Sequence, residues 1–152
     1  MKTLVMTAMF LTAAFASPVA AKQQVPFHGS LEASETDTLS FPFVTVSLTG
    51  TGQATHVGRF TATFDLKVDV RTSTSLGFFT LIAANGDSVF GTISGHATNL
   101  GGGIASIVEA ATITGGTGRF DDATGSFTIT RVVDQATGIS SGSFNGAIDF
   151  HD

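Results

Sequence analysis

The stretch from residue 57 to residue 71 alternates apolar and polar side chains almost without interruption. Successive side chains of a β-strand point to opposite faces, so this pattern predicts a long strand with one dry face and one solvated face. The apolar positions are Phe60, Ala62, Phe64, Leu66, Val68 and Val70, and the charged positions facing outwards are Asp65, Lys67, Asp69 and Arg71. We expect Phe60, Phe64 and Leu66 to lie in the core.

Shorter runs of strand-forming residues fill the rest of the chain. The predicted strands cover residues 27–35, 41–48, 76–84, 87–98, 104–114, 126–134 and 139–150. Residues 35–38 are polar and predict a connection after the first strand. Asn85-Gly86 predicts a type I′ hairpin turn, because both residues tolerate positive φ. The three glycines at 101–103 are interpreted as a flexible link, and residues 135–138 predict the last hairpin turn.

Seven or eight strands with short connections and no helical crossover indicate an all-β protein. Threonine, serine, glycine, valine, isoleucine and phenylalanine are abundant, whereas strong helix formers are scarce. The expected fold is a single antiparallel β-barrel of about eight strands, because closure removes exposed sheet edges. A β-sandwich has the same strand count and turn spacing, so it stays the alternative.

Residues 1–21 have the pattern of a secretory signal peptide. Lys2 precedes an apolar run, and Val19-Ala20-Ala21 places small residues before a cleavage point at Lys22. The run is shorter than the roughly 20 apolar residues that span a bilayer, so no membrane span is predicted. We therefore expect a signal peptide at 1–21, one β-barrel domain at 22–152, and secretion to the periplasm or the extracellular space.

The net charge limits the kinds of partner the protein can bind, and the cysteine content limits how its fold can be stabilised. The net charge of −5 disfavours binding to nucleic acid, which requires basic patches. The chain has no cysteine, so packing and hydrogen bonds must hold the exported fold without disulfides. We expect no nucleic-acid partner, and we expect a monomer or a homodimer.

A glycine-rich stretch, GGTGRFDDATG, occupies residues 115–125 between two predicted strands. A phosphate-binding loop needs a following helix, but residues 126–130 alternate as a strand does, and the lysine of a P-loop is absent. We predict instead a structural corner of the barrel, formed by Gly115, Gly116, Gly118, Phe120 and Gly125. At least one of the first three glycines should have positive φ, with Phe120 packed inwards.

The same stretch resembles a segment of plant dirigent proteins, through GGTGRF at 115–120 followed by Ala123 and Gly125. The resemblance implies the allene oxide cyclase-type fold, an eight-stranded antiparallel β-barrel. The wider pattern is similar to small secreted bacterial proteins of unknown function, through residues 50–52, 55–61 and 84–87. No position here matches the pocket acids and arginine of the plant proteins, so the resemblance implies a fold more than an activity.

Few polar residues are placed to carry chemistry. Glu109 shares a predicted strand face with Ala105, Ile107 and Ala111, where burial would raise the pKa of an unpaired carboxyl. It is a candidate general acid or base, unless Arg59, Arg119 or a backbone donor pairs with it. His96 and Arg119 are the other catalytic candidates.

The sequence gives no support for a metal or a cofactor. No two histidines are spaced to share a metal ion, and the HExxH pattern is absent. Asp121-Asp122 is interpreted as a solvated turn pair. We predict no metal site and no cofactor.

Two functions follow from these observations. Residues 22–152 hold twelve of the 14 phenylalanines and no tryptophan or tyrosine, which predicts an apolar interior without hydroxyl groups, suited to a non-catalytic barrel that binds a small apolar ligand or a surface partner. The alternative, which the resemblance implies, is a dirigent-like or cyclase-like enzyme that uses Glu109, His96 or Arg119. A cavity that converges on these residues would favour the enzyme.

Overall fold

The computed structural model describes residues 23–151, which form eight antiparallel strands closed into one barrel. The strands are β1 (Gln23–Ser40), β2 (Phe43–Ala54), β3 (Gly58–Asp69), β4 (Thr74–Ala83), β5 (Ser88–Gly101), β6 (Ile104–Gly116), β7 (Thr124–Asp134) and β8 (Ile139–Phe150). Each strand pairs with the next, and β8 pairs with β1. The all-β barrel is confirmed, and closure of the ladder excludes the sandwich. The predicted signal peptide, residues 1–21, lies outside the described residues.

Strand β1 is longer than its sequence predicted. The segment 35–38, expected to be a connection, continues the ladder, because Glu35 pairs with Leu48 and the pairing runs on to Ser40 opposite Phe43. That prediction was wrong because ladder hydrogen bonds use the backbone, and polar side chains are tolerated wherever they find water or an ionic partner. Pairing of β1 with β8 stops at Ser34, so the β1–β2 hairpin projects beyond β8.

Strand β3 has the two faces that its alternation predicted, but it ends at Asp69, so Val70, predicted on the dry face, lies in the following turn and is 41% exposed. Phe60, Phe64 and Leu66 are buried, with no more than 4% of their surface exposed. Asp65 and Lys67 lie on the exposed outer face. The hydrophobic pattern therefore sets the inner and outer faces of the barrel correctly.

Two glycine turns differ from their predictions. The β4–β5 hairpin does turn at Asn85-Gly86, but Gly86 alone of the two has positive φ, so the turn is not type I′. The Asn85 side chain accepts a hydrogen bond from the Asp87 N–H at 3.0 Å, which stabilises a different turn. The expected flexible link at residues 101–103 is instead a tight β5–β6 turn, in which Gly102 and Gly103 both have positive φ.

Phenylalanine rings fill the interior from the middle of the barrel towards one end. Phe127 lies with its ring centroid 5.2 Å from each of Phe27, Phe79 and Phe144. We call this the corner end, because residues 117–123 lie across it between β6 and β7. The opposite end, which we call the open end, carries the β1–β2, β3–β4, β5–β6 and β7–β8 turns.

The corner itself begins at a left-handed glycine. Gly118 has φ of 61° and starts a short 3-10 helix, Gly118–Phe120, whose Phe120 ring is buried 5.2 Å from that of Phe150. A side chain at Gly118 would collide with the carboxylate of Asp87 in the β4–β5 turn. Thr117 donates its N–H to the Ser88 carbonyl at 2.9 Å, so the corner is tied to β5.

The other corner residues lie close by. Gly115 is buried and Gly116 ends β6, while Gly125 has φ of 141° within β7.

No helix among residues 23–151 has the length and apolar composition needed to cross a bilayer.

Candidate functional site

A cavity of about 240 Å³ occupies the lumen at the open end. Its walls are mostly aliphatic, and they include Val44, Val46, Leu66, Val68, Ala97, Ala105, Ile107 and Val133. Its polar residues include Glu35, Asp37, Ser75, Glu109 and Arg131. The lumen is therefore packed at the corner end and hollow at the open end.

A larger groove of about 720 Å³ lies on the outer face of β1–β4. Its charged residues, Glu32 and Arg59, are exposed to solvent. Charges in water interact weakly, whereas charges beside a dry cavity interact strongly with a ligand. The lumen cavity is therefore the better candidate site.

Arg131 and Glu109 form a buried bidentate ion pair at the cavity. The Arg131 Nε donates to Glu109 Oε2 and its Nη2 donates to Glu109 Oε1, each at 3.1 Å. Arg131 is 4% exposed and Glu109 is 1% exposed, so both charges are withdrawn from bulk water. Two parallel N–H···O bonds fix the orientation of both side chains, as a fork-like guanidinium does with a carboxylate.

A second carboxylate, that of Glu35, joins the pair from β1. The Arg131 Nη1 donates to Glu35 Oε2 at 2.8 Å and to the Ser140 hydroxyl at 3.4 Å. The Glu35 backbone N–H also donates to the Gly138 carbonyl at 2.8 Å, which fixes this part of β1 against the β7–β8 turn. We call Glu35, Glu109 and Arg131 the lumen triad.

Glycines on the neighbouring strands make room for the lumen triad. Gly95 on β5 pairs with Glu109, and a β-carbon there would lie 2.7 Å from the Glu109 Cγ. Gly142 on β8 pairs with Arg131, and a β-carbon there would lie 2.6 Å from the Arg131 Cβ. The missing side chain at Gly142 lets the Arg131 side chain cross β8 and reach Glu35 on β1.

Arg131 stays charged under all ordinary conditions. Burial by itself would lower the pKa of Arg131, but the hydrogen bonds and the negative charge of Glu109, followed by those of Glu35, outweigh burial and raise the pKa. Apart from His96, the ionisable groups that line the cavity are the carboxyls of Glu35, Asp37 and Glu109 and the permanently charged guanidinium of Arg131. With all three carboxyls ionised, negative charge is in excess.

The structure does not bring the three sequence-predicted catalytic residues together. Glu109 is in the lumen, but its partner is Arg131 and not Arg59 or Arg119. His96 borders the cavity, yet it is exposed, and strand alternation places its side chain on the outer face between the inward-facing Gly95 and Ala97. Arg119 lies at the corner end, exposed, with its guanidinium 4.7 Å from the Phe120 ring centroid.

Sequence reasoning missed Arg131 and Glu35. Arg131 alternates with the inward-facing Phe127, Ile129 and Val133, so the rule that singled out Glu109 would have found it too. Glu35 was missed because residues 35–38 were interpreted as a connection, whereas they belong to β1. The contact between them joins residues 96 positions apart, which only the barrel topology brings together.

The other histidines and the Asp121-Asp122 pair lie outside the lumen cavity. Among the described residues, no three His, Cys, Asp or Glu side chains are grouped so as to hold a metal ion. His28 and His56 are exposed near the corner end, and His56 lies 5.5 Å from the Phe150 ring, centroid to centroid. Asp121 and Asp122 are exposed in the turn after the 3-10 helix, where Asp122 has φ of 59°.

No protein-family model matches the sequence. No curated protein matches it either. Among solved structures, the chain is similar to the pterocarpan synthase dirigent protein GePTS1, with a TM-score of 0.62 and 14% sequence identity. The match covers 92% of this chain and 98% of that chain. The chain therefore has a dirigent-like barrel fold, as the resemblance at residues 115–125 implied, while its activity must be argued from its own site.

Proposed function

We propose that this protein is an exported, non-catalytic barrel that binds one small, mostly apolar molecule in the lumen cavity. The observation that carries the proposal is the cavity itself, which has aliphatic walls and the lumen triad as its polar group. Ligand sites have this composition, in which apolar walls supply affinity and a few fixed polar groups supply orientation. The cavity, at about 240 Å³, is smaller than the roughly 300–1,000 Å³ of sites for drug-sized ligands, so the ligand is small.

The rim of the open end supports entry of an apolar molecule. Leu39 and Phe41 beside the β1–β2 turn are 69% and 77% exposed, and Leu100 and Ile139 beside two other turns are 61% and 59% exposed. Leu76 and Phe78 on the outer face of β4 are equally exposed, so the rim residues support the proposal through their position at the end where the cavity lies. At the corner end, Phe120 is buried, and Ile82 and Phe90 beside the β4–β5 turn are less exposed, at 42% and 38%.

Native mass spectrometry of protein purified from its own host tests the proposal. We expect a retained small molecule. If the chain is exported and cleaved, the intact mass should be that of a chain that begins at Lys22. Ala105→Phe should abolish retention, because Ala105 is buried in the cavity wall. The matched control is Ala110→Phe on the same strand, which is on the exposed outer face and should leave retention unchanged. Equal retention by both variants would contradict a lumen site.

A proton-transferring enzyme is the second candidate, and Glu35 is the observation that favours it. Its carboxylate borders the cavity, whereas both oxygens of Glu109 are held by Arg131. The solved structural neighbour is named as a synthase, which makes chemistry in such a barrel reasonable to test. Incubation of a recovered ligand with fresh protein decides between the two: binding returns it unchanged, whereas catalysis converts it, and Glu35→Gln should then stop the conversion.

A further inference from the structure

The lumen triad leaves the cavity with unbalanced negative charge. Arg131 directs four N–H···O contacts to Glu109, Glu35 and Ser140. The charge of Arg131 is thereby shared between two carboxylates that are both close to it. An anionic ligand that approached Arg131 would also approach Glu35 and Glu109, and like charges in a low-dielectric site repel strongly.

One carboxylate oxygen of the triad is open to a ligand. The Glu35 side chain is 10% exposed, and its Oε2 accepts from Arg131. Within residues 23–151, the Oε1 atom of Glu35 accepts no hydrogen bond. It is also not one of the buried polar atoms that lack a partner, so solvent or a ligand can reach it. Glu35 lines the cavity and its side chain is nine-tenths buried, so an oxygen of its carboxylate without a protein donor is a site for a donor on the ligand.

The surrounding charges do not cancel this excess. Asp37 at the mouth of the cavity adds a further carboxylate. The nearby Arg71 is exposed and paired with Asp69 at 2.7 Å, and Lys67 lies on the outer face, 4.0 Å from the Phe43 ring centroid. Neither cation lines the cavity.

We propose that the cavity selects a small apolar molecule that carries a protonated amine, with the ammonium donating to Glu35 Oε1. This inference rests on the proposed ligand site and names the class of its ligand. The ammonium neutralises the excess charge and satisfies the open oxygen, while the aliphatic walls hold the apolar part. Carboxylates such as short fatty acids are excluded, because Arg131 is already committed to protein carboxylates.

Isothermal titration calorimetry with three probes of matched size tests the selectivity: 2-phenylethylamine, 2-phenylethanol and phenylacetate. At neutral pH and low ionic strength, the amine should bind at least about tenfold more tightly than phenylacetate, with the alcohol between them. Glu35→Gln removes the negative charge but keeps an acceptor for Arg131. It should weaken the binding of the amine about fivefold or more and change the affinity for the alcohol less than about twofold. Glu32→Gln, on the exposed outer face of the same strand, is the matched control and should change neither.

The outcomes separate this inference from the proposal beneath it. If the alcohol binds but the amine and phenylacetate differ by less than about twofold, the charge selectivity is wrong and the ligand site stands. Tighter binding of phenylacetate would overturn the selectivity outright. If none of the three probes binds the wild-type protein, the ligand site fails and the selectivity fails with it. The wild-type comparison does not depend on any variant being folded.

Discussion

The two ends of the barrel are formed by the same strands but differ in their packing and polar contacts. At the corner end, Phe120 and Phe150 pack together, and polar contacts such as Ser88–Thr117 tie the turns to each other. At the open end, the lumen holds an ion pair and a cavity, and apolar residues are exposed on the rim. Within residues 23–151 the corner end is closely packed, although the buried Asp149 Oδ1 there has no hydrogen-bond partner, whereas the open end has a cavity, a Glu35 oxygen without a protein donor and an apolar rim.

This contrast leads us to expect different contributions to stability from the two halves. Buried aromatic packing stabilises a fold with little ambiguity, whereas a buried ion pair repays its desolvation only partly and is weak evidence of a stabilising role. Residues kept at a cost to packing are expected at functional sites. We therefore expect folding stability to come mainly from the corner half, while the proposed ligand site lies in the open half.

Phe127→Ala should have the largest effect on stability. Phe127 is 3% exposed and contacts three other phenylalanine rings, so the variant loses buried area and leaves a cavity. We expect a loss towards the upper end of about 3–5 kcal/mol in the free energy of unfolding. Urea unfolding followed by far-UV circular dichroism measures it, since the chain lacks tryptophan and tyrosine for fluorescence. A loss below about 1 kcal/mol would show that the core does not lie in the corner half.

Arg131→Met should cost about 3 kcal/mol, because it leaves the buried carboxylate of Glu109 without its counter-charge. The double variant Glu109→Leu/Arg131→Leu should recover most of that loss, since an apolar pair replaces both charges. The same urea measurement compares them. If the double variant is as unstable as the single one, the ion pair is a structural requirement, and the division between the two ends is wrong.

Two glycines with nearly the same positive φ give a matched comparison of the ends. Gly118 at the corner end has φ of 61°, and Gly102 at the open end has φ of 62°. An alanine at 102 meets no neighbour, so Gly102→Ala should cost about 1 kcal/mol for the left-handed conformation alone. Gly118→Ala should cost about 2 kcal/mol, because its methyl group also displaces Asp87. Equal losses would show that the Asp87 contact is unimportant.

Asp69→Asn should have the smallest effect, as expected for an exposed ion pair. The hydrogen bond from the Arg71 side chain lowers the pKa of Asp69 below its usual value. A carboxyl with a lowered pKa in the folded state contributes stability above its unfolded pKa of about 3.9, and that stability is lost as pH falls through the folded value. The wild-type and the variant should thus differ slightly in urea midpoint at pH 7, and the difference should vanish once the pH is below the lowered pKa of Asp69 in the folded state. A difference that grows in acid would contradict the assignment.

The sequence predicted the barrel well because its strand pattern is local. Alternation alone placed Phe60, Phe64 and Leu66 inside, and it placed Glu109 on an apolar face. The site was harder to predict, because its geometry depends on register between strands distant in sequence. Glu35 reaches Arg131 only because β8 lies between β1 and β7 and presents Gly142 and Ser140 to the lumen. No spacing along the chain encodes that arrangement.

The most direct test of the account is methyl NMR of the protein titrated with 2-phenylethanol, a neutral probe of the lumen cavity. We predict saturable shifts of the methyl groups of Val46, Leu66, Ile107 and Val133, which line the cavity, with little change at Val89 and Ile148 in the packed half. Shifts confined to exposed methyl groups such as those of Leu76 and Val108, or no shifts at millimolar probe, would contradict a ligand site in the open half of the barrel.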